Sequence, residues 1–92
     1  MEHLSIKEIH DRLLELEDWE LIGHEIAKEF NFNDFKEAME FVQHVGEEAE
    51  RKHHHPDIFI RYNRVTLTLT THDANGLTHE DFKLAKIIEQ LV

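Results

Sequence analysis

Cysteine is absent from the chain, which excludes disulfides, thiolate zinc sites and thiol nucleophiles and is compatible with a reducing compartment. Proline occurs once and glycine three times, and no Gly-, Pro- or Ser-rich stretch marks a linker, a repeat or a low-complexity segment. No apolar run approaches the roughly 18 residues of a membrane span. Met1-Glu2-His3 lacks the basic start of a secretion signal, so a cytoplasmic protein with no membrane partner is expected. Bases are scarce too: 10 Lys and Arg stand against 20 Asp and Glu, for a net charge of −10. So acidic a chain repels phosphate, which argues against direct nucleic-acid binding. Its 92 residues make one domain, 1–92. A domain this small buries only about 60 % of its unfolded surface, so a subunit partner would add stability.

What is present is unevenly distributed. Residues 1–52 carry 15 acids and 6 bases, whereas residues 53–92 carry 5 and 4, so the second half repels an incoming ligand least. Nine histidines are an excess for this length, and five of them (His53, His54, His55, His72, His79) fall in that second half.

The hydrophobic spacing predicts the elements. Ser5 and Glu8 form a capping-box pattern ahead of Ile6, Ile9, Leu13 and Leu16, which places a helix at about 5–16. Residues 19–22 and 25–32 read as a hairpin about Gly23, with Ile26, Phe30 and Phe32 on one side. From Asn33 or Asp34 as N-cap, Phe35, Ala38, Met39, Val42, Val45 and Ala49 follow helical spacing until Pro56 forces an end near His53 to His55. Ile58, Ile60 and Tyr62 alternate, as do Val65, Leu67 and Leu69 with Thr66, Thr68 and Thr70, giving two strands about an Asn63-Arg64 turn. Thr78 and Asp81 form a second capping box before a last helix with Phe82, Leu84, Ala85, Ile88 and Leu91. The expected fold class is α+β, in the order α-β-β-α-β-β-α. Each element offers one apolar surface, so a four-stranded antiparallel sheet with three helices packed on one face follows. An unpaired edge strand then offers a route to a dimer.

The chemistry concentrates in two places, Glu50-Arg51-Lys52-His53-His54-His55-Pro56-Asp57 and Thr71-His72-Asp73, with Asp81 following. Imidazoles titrate at about pH 6.5 and can give and take protons without a metal or a nucleophile. Histidines at a helix C-terminus also simply favour its dipole. The spacing decides between these readings: Glu50, three residues, His54-His55-Pro56, five residues, Tyr62, nine residues, His72, eight residues and Asp81 resembles the fingerprint of the pterin-4a-carbinolamine dehydratases. Trp19-Glu20-Leu21, Asp34-Phe35 and Gly76-Leu77-Thr78 are similar to that family as well, so the resemblance covers most of the chain.

The resemblance implies removal of water from a 4a-hydroxytetrahydropterin, the product of aromatic amino acid hydroxylases, to give the quinonoid dihydropterin and support tetrahydropterin recycling. It implies the same α-β-β-α-β-β-α fold, a homodimer or homotetramer, and no metal or cofactor. Carried over residue by residue, the catalytic set falls on His54, His55, His72 and Asp81. Glu50, Pro56, Thr70, Thr71 and Asp73 fall at the pterin-binding positions, with Glu50 on the amino-pyrimidine edge. Loss of the 4a hydroxyl as water needs one group to protonate it and another to take the N5 proton, and two imidazoles suit both tasks. His54 and His55 are the expected pair, with His72 binding or polarising. Adjacent side chains in an extended segment point apart, so that pair can share a pocket only if the chain turns there.

Several residues carry a second reading. Glu50 is also a solvated acid on an acidic helix, and Asp81 is also the cap of the last helix, worth about 0.3–1 kcal/mol. Trp19 lines the pocket or packs under the hairpin, and Tyr62 is structural. Members of the family often carry tryptophan where this chain has Ile58. His53 has no assigned role, and His3, His10, His24 and His44 read as surface. A metal site is the first rival, yet three consecutive histidines cannot readily converge on one ion. A regulatory interaction module of the same fold is the second. A scaffold alone needs no such histidine set.

Overall fold

Two antiparallel hairpins share one sheet because a long helix carries the chain from the first to the second. The computed structural model describes residues 2–92, in the order α1 (Ile6–Leu13), β1 (Glu20–Ile22), β2 (Glu25–Asn31), α2 (Phe35–Lys52), β3 (Asp57–Arg61), β4 (Arg64–Leu69), a 3₁₀ turn (His72–Ala74) and α3 (His79–Glu89). The sheet order is β1-β2-β4-β3, so β2 and β4 are central and β1 and β3 are the edges. The fold is the expected α+β arrangement.

The period-2 pattern sets the sheet's two faces. Ile26 pairs with Leu69, Lys28 with Leu67 and Phe30 with Val65, which puts the apolar residues of both central strands on one side. Val65, Leu67 and Leu69 are fully buried there, under Ile9 of α1, Phe41 and Val45 of α2, and Phe82, Ala85 and Ile88 of α3. On the other face Thr66 and Thr68 lie half-buried, and Phe59 is exposed on the edge strand.

The ends of the helices follow their caps. Ser5 and Glu8 bond reciprocally as the capping box requires, and Asp34, rather than Asn33, caps α2 by accepting from the Glu37 N–H. α1 is shorter than its apolar spacing predicts. It stops at Leu13 because the chain tightens into turns in which Glu15 and Leu16 bond only three residues back. The second hairpin turns on Tyr62-Asn63, one residue earlier than expected, with Arg61 paired to Arg64. Asn63 is pinned there because its side chain donates to the Phe32 carbonyl while its own carbonyl accepts from the Phe32 N–H. Tyr62 consequently takes the left-handed conformation and stays exposed at the tip, at the far end of β3 from Pro56.

Candidate active site

The first wall of the site is made by how α2 stops. No glycine lies between the end of α2 and Pro56, so the left-handed residue that terminates the helix is His53, at φ 53°. Its N–H donates to the Glu50 carbonyl (3.2 Å) and the His54 N–H donates to the Ala49 carbonyl (3.1 Å), the pair of bonds that closes a Schellman motif. This supplies the turn that the histidine run needs: His54 and His55 border one cleft instead of pointing to opposite sides. His53 thus has a structural role that its sequence position alone did not reveal.

The second wall lies just beyond β4. Thr71 pairs with Gly76 through two backbone bonds of 3.0 and 3.4 Å, and Asn75 in the left-handed conformation closes the turn between them. This small loop presents His72 and Asp73. Thr70 is tied down by donating its hydroxyl to the His24 carbonyl (2.8 Å), which fastens the β1–β2 turn to the end of β4. The resulting cleft of about 230 Å³ is lined by His53, His54, His55, Thr70, Thr71, His72 and Asp73. A wider recess of about 470 Å³ shares the wall formed by Thr70, Thr71 and His72 and continues to His24, Glu25 and Asn75.

Two carboxylates stand behind the two adjacent imidazoles. His54 Nε2 donates to Asp81 Oδ1 at 2.5 Å, with the His54 side chain 14 % exposed and Asp81 at 0 %. His55 Nε2 meets Glu50 Oε2 at the same 2.5 Å, but these side chains are 61 % and 78 % exposed. Asp81 also accepts from the Thr71 hydroxyl (2.7 Å) and the Thr78 N–H (2.9 Å), both on Oδ2. Its capping bond to Thr78 and its bond to His54 therefore coexist, one oxygen serving each. Among the described residues, no three His, Asp or Glu side chains converge as a metal ion requires.

The structure thus brings His54, His55, His72, Thr70, Thr71 and Asp73 around one cleft. Asp81 lies behind His54 and can touch a ligand only through it. Glu50 and Pro56 lie outside the lining residues, Glu50 as the partner of His55 and Pro56 as the link into β3. Trp19 packs in the core, edge-on to Phe30, and donates to Glu89 Oε1 (2.8 Å), which also accepts from Lys28 Nζ (2.6 Å). His3, His10, His24 and His44 are exposed. Sequence reasoning missed Thr78 as more than a cap. Its buried hydroxyl meets Thr71 Oγ1 at 2.8 Å, a contact that only the loop between them creates.

Comparison with known proteins identifies the family of the chain. The sequence matches the family model described as Pterin 4 alpha carbinolamine dehydratase over residues 2–91. A protein of Acidobacterium capsulatum, provisionally named a pterin-4-alpha-carbinolamine dehydratase, is 53 % identical over 92 residues, covering 100 % of both chains. One of Cyanothece sp. with the same provisional name is 52 % identical over 88 residues, covering 96 % of this chain and 91 % of its own. The crystal structure of a transcriptional coactivator/pterin dehydratase from Brucella melitensis superposes with a TM-score of 0.93 at 35 % identity, covering 97 % of each chain. With the family model spanning nearly all of the chain and half of its residues shared with full-length relatives, this protein belongs to the pterin-4a-carbinolamine dehydratase family.

Proposed function

We propose that the protein removes water from a 4a-hydroxytetrahydropterin by histidine acid/base catalysis, giving the quinonoid dihydropterin. The observation that carries this reading is the buried His54–Asp81 pair opening on a cleft that also holds His55 and His72. A carboxylate that accepts from Nε2 leaves Nδ1 as the ring nitrogen free for substrate and stabilises the imidazolium formed when Nδ1 takes a proton. His54 is accordingly the base that removes the N5 proton. His55, exposed beside Glu50, exchanges protons with water and is the acid that delivers one to the 4a hydroxyl. The C4a–O bond breaks, water leaves, and the electron pair released at N5 forms the N5–C4a double bond. His72 stands on the opposite loop, where it binds or polarises the ring. The flat, neutral pterin suits a small polar cleft.

General acid/base help of this kind is worth about 10²–10⁴-fold, which is the size of enhancement expected for a carbinolamine that already dehydrates spontaneously. A hydroxylase acting on an aromatic amino acid would supply the substrate, and recycling of the tetrahydropterin would consume the product. The test is the decay of 4a-hydroxytetrahydropterin followed by stopped-flow absorbance, with and without the protein and with a chelator present. Acceleration that survives the chelator is the expected result. No acceleration by folded protein overturns the reading in favour of an interaction module.

A further inference from the structure

We propose that Thr71 and Thr78 are positioning residues: their hydroxyls form a one-way hydrogen-bond chain that aims the Asp81 carboxylate and thereby keeps the His54 proton on Nε2. The chain itself stands on geometry alone, and its catalytic consequence rests on the dehydratase reading above.

The direction follows from counting protons. A carboxylate only accepts, so Thr71 donates its single hydroxyl proton to Asp81 Oδ2 across 2.7 Å. In its 2.8 Å contact with Thr78 Oγ1, Thr71 must therefore accept. Thr78 spends its single proton on Thr71, and its own oxygen accepts from the Glu80 N–H at the start of α3 (3.3 Å). Every proton in the series is assigned, running from Glu80 through Thr78 and Thr71 to Asp81. Oδ2 receives a second bond from the Thr78 N–H (2.9 Å), so Oδ1 is left facing His54.

Burial makes this arrangement binding. Asp81 is 0 % exposed, and Thr71 and Thr78 are almost fully buried, so water cannot replace a missing donor. Without the Thr71 donor, Oδ2 keeps only the Thr78 N–H, so the carboxylate is aimed less firmly and His54 is held less firmly in one tautomer. Thr71 acts on the opposite wall as well. Its backbone closes the loop that carries His72, so one residue sets the spacing between the two imidazole-bearing walls. Thr71 thus lines the cleft while its hydroxyl is already committed away from it.

The test combines two readouts on the full chain. Without substrate, ¹⁵N-histidine NMR reports which ring nitrogen of His54 carries the proton, and the wild type is expected to show Nε2–H together with slowly exchanging hydroxyl protons at Thr71 and Thr78. Thr71→Val keeps the shape and removes the hydroxyl. It is expected to mix the His54 tautomers and lower kcat about tenfold or more with KM within about twofold, since only part of the worth of an acid/base group is lost. Thr71→Ser restores both. Wild-type His54 protonated on Nδ1, or freely exchanging threonine hydroxyls, overturns the proposal even if Thr71→Val does not fold. A Thr71→Val protein with wild-type tautomer and kcat overturns it as well. If the NMR expectations hold while no form of the protein accelerates dehydration, the chain stands and the dehydratase reading fails.

Discussion

The His54–Asp81 and His55–Glu50 pairs share a residue type, a 2.5 Å contact and a place at the end of α2, yet one is buried and the other lies in water. The difference teaches what the surroundings add to a contact. Around Asp81 every polar partner is fixed by the protein, and the pair can hold a tautomer and a ring orientation. Around Glu50 water competes for both groups and salt screens them, so the pair can exchange protons readily but orders little.

The largest effect should come from breaking the buried side. Asp81→Asn places an amide where three donors converge, so urea titration should show a loss of about 3 kcal/mol, and kcat should fall about 10²-fold or more as His54 loses its acceptor. An outcome as mild as that of Glu50→Gln would erase the distinction between the two pairs. Next in size, His54→Ala and His55→Ala should each lower kcat about 10²-fold with the fold intact by circular dichroism. A double variant that keeps full turnover would sink the acid/base assignment itself. Glu50→Gln is expected to change stability by about 0–1 kcal/mol and turnover by no more than about fivefold. Raising the salt should shrink its effect further, whereas the Asp81 variant should be insensitive to salt.

Two smaller effects sharpen the picture. His53→Gly should stabilise by about 0.5 kcal/mol in thermal or chemical melts, because glycine takes the left-handed conformation without the Cβ penalty. Turnover should stay unchanged if His53 only turns the chain. At the other end of the chain, Glu8 is an exposed carboxylate whose pKa is held below its ordinary 4.5, first by the Ser5 backbone N–H and then by the Ser5 hydroxyl. A lowered value means stability that is present above that range and lost as the pH falls through the folded value. Protection of the α1 amides, relative to their intrinsic exchange rate at each pH, should therefore fall on acidification while the slowest core amides of β4 stay protected.

The pattern of success along the chain has a physical basis. Element order, both capping boxes and the apolar faces of β2, β4 and the helices were legible because they depend on spacings of two to four residues. The turn at Tyr62-Asn63 falls one residue from its expected place because Asn63 is bonded to the distant Phe32, and α1 ends early because the chain after Arg12 tightens into three-residue turns that apolar spacing does not encode. That the histidines, Asp81 and the threonines of the 70–73 segment would lie near one another was also legible, through their long-range spacing and the family it resembles. Their division into a buried and an exposed pair was not, because burial depends on which face of α3 meets the end of α2.

The sequence by itself therefore determined the α-β-β-α-β-β-α order, the helix-covered side of the sheet and the residue types gathered at the candidate site, since each follows from local periodicity, capping and composition. Only the tertiary structure decided that His53 would turn the chain, that Asp81 would serve helix and histidine with separate oxygens, and that Thr78 would reach Thr71. Those are contacts between segments up to 27 residues apart in the chain, and a hydrogen bond of that kind exists only after packing has removed the water that would otherwise satisfy each partner alone.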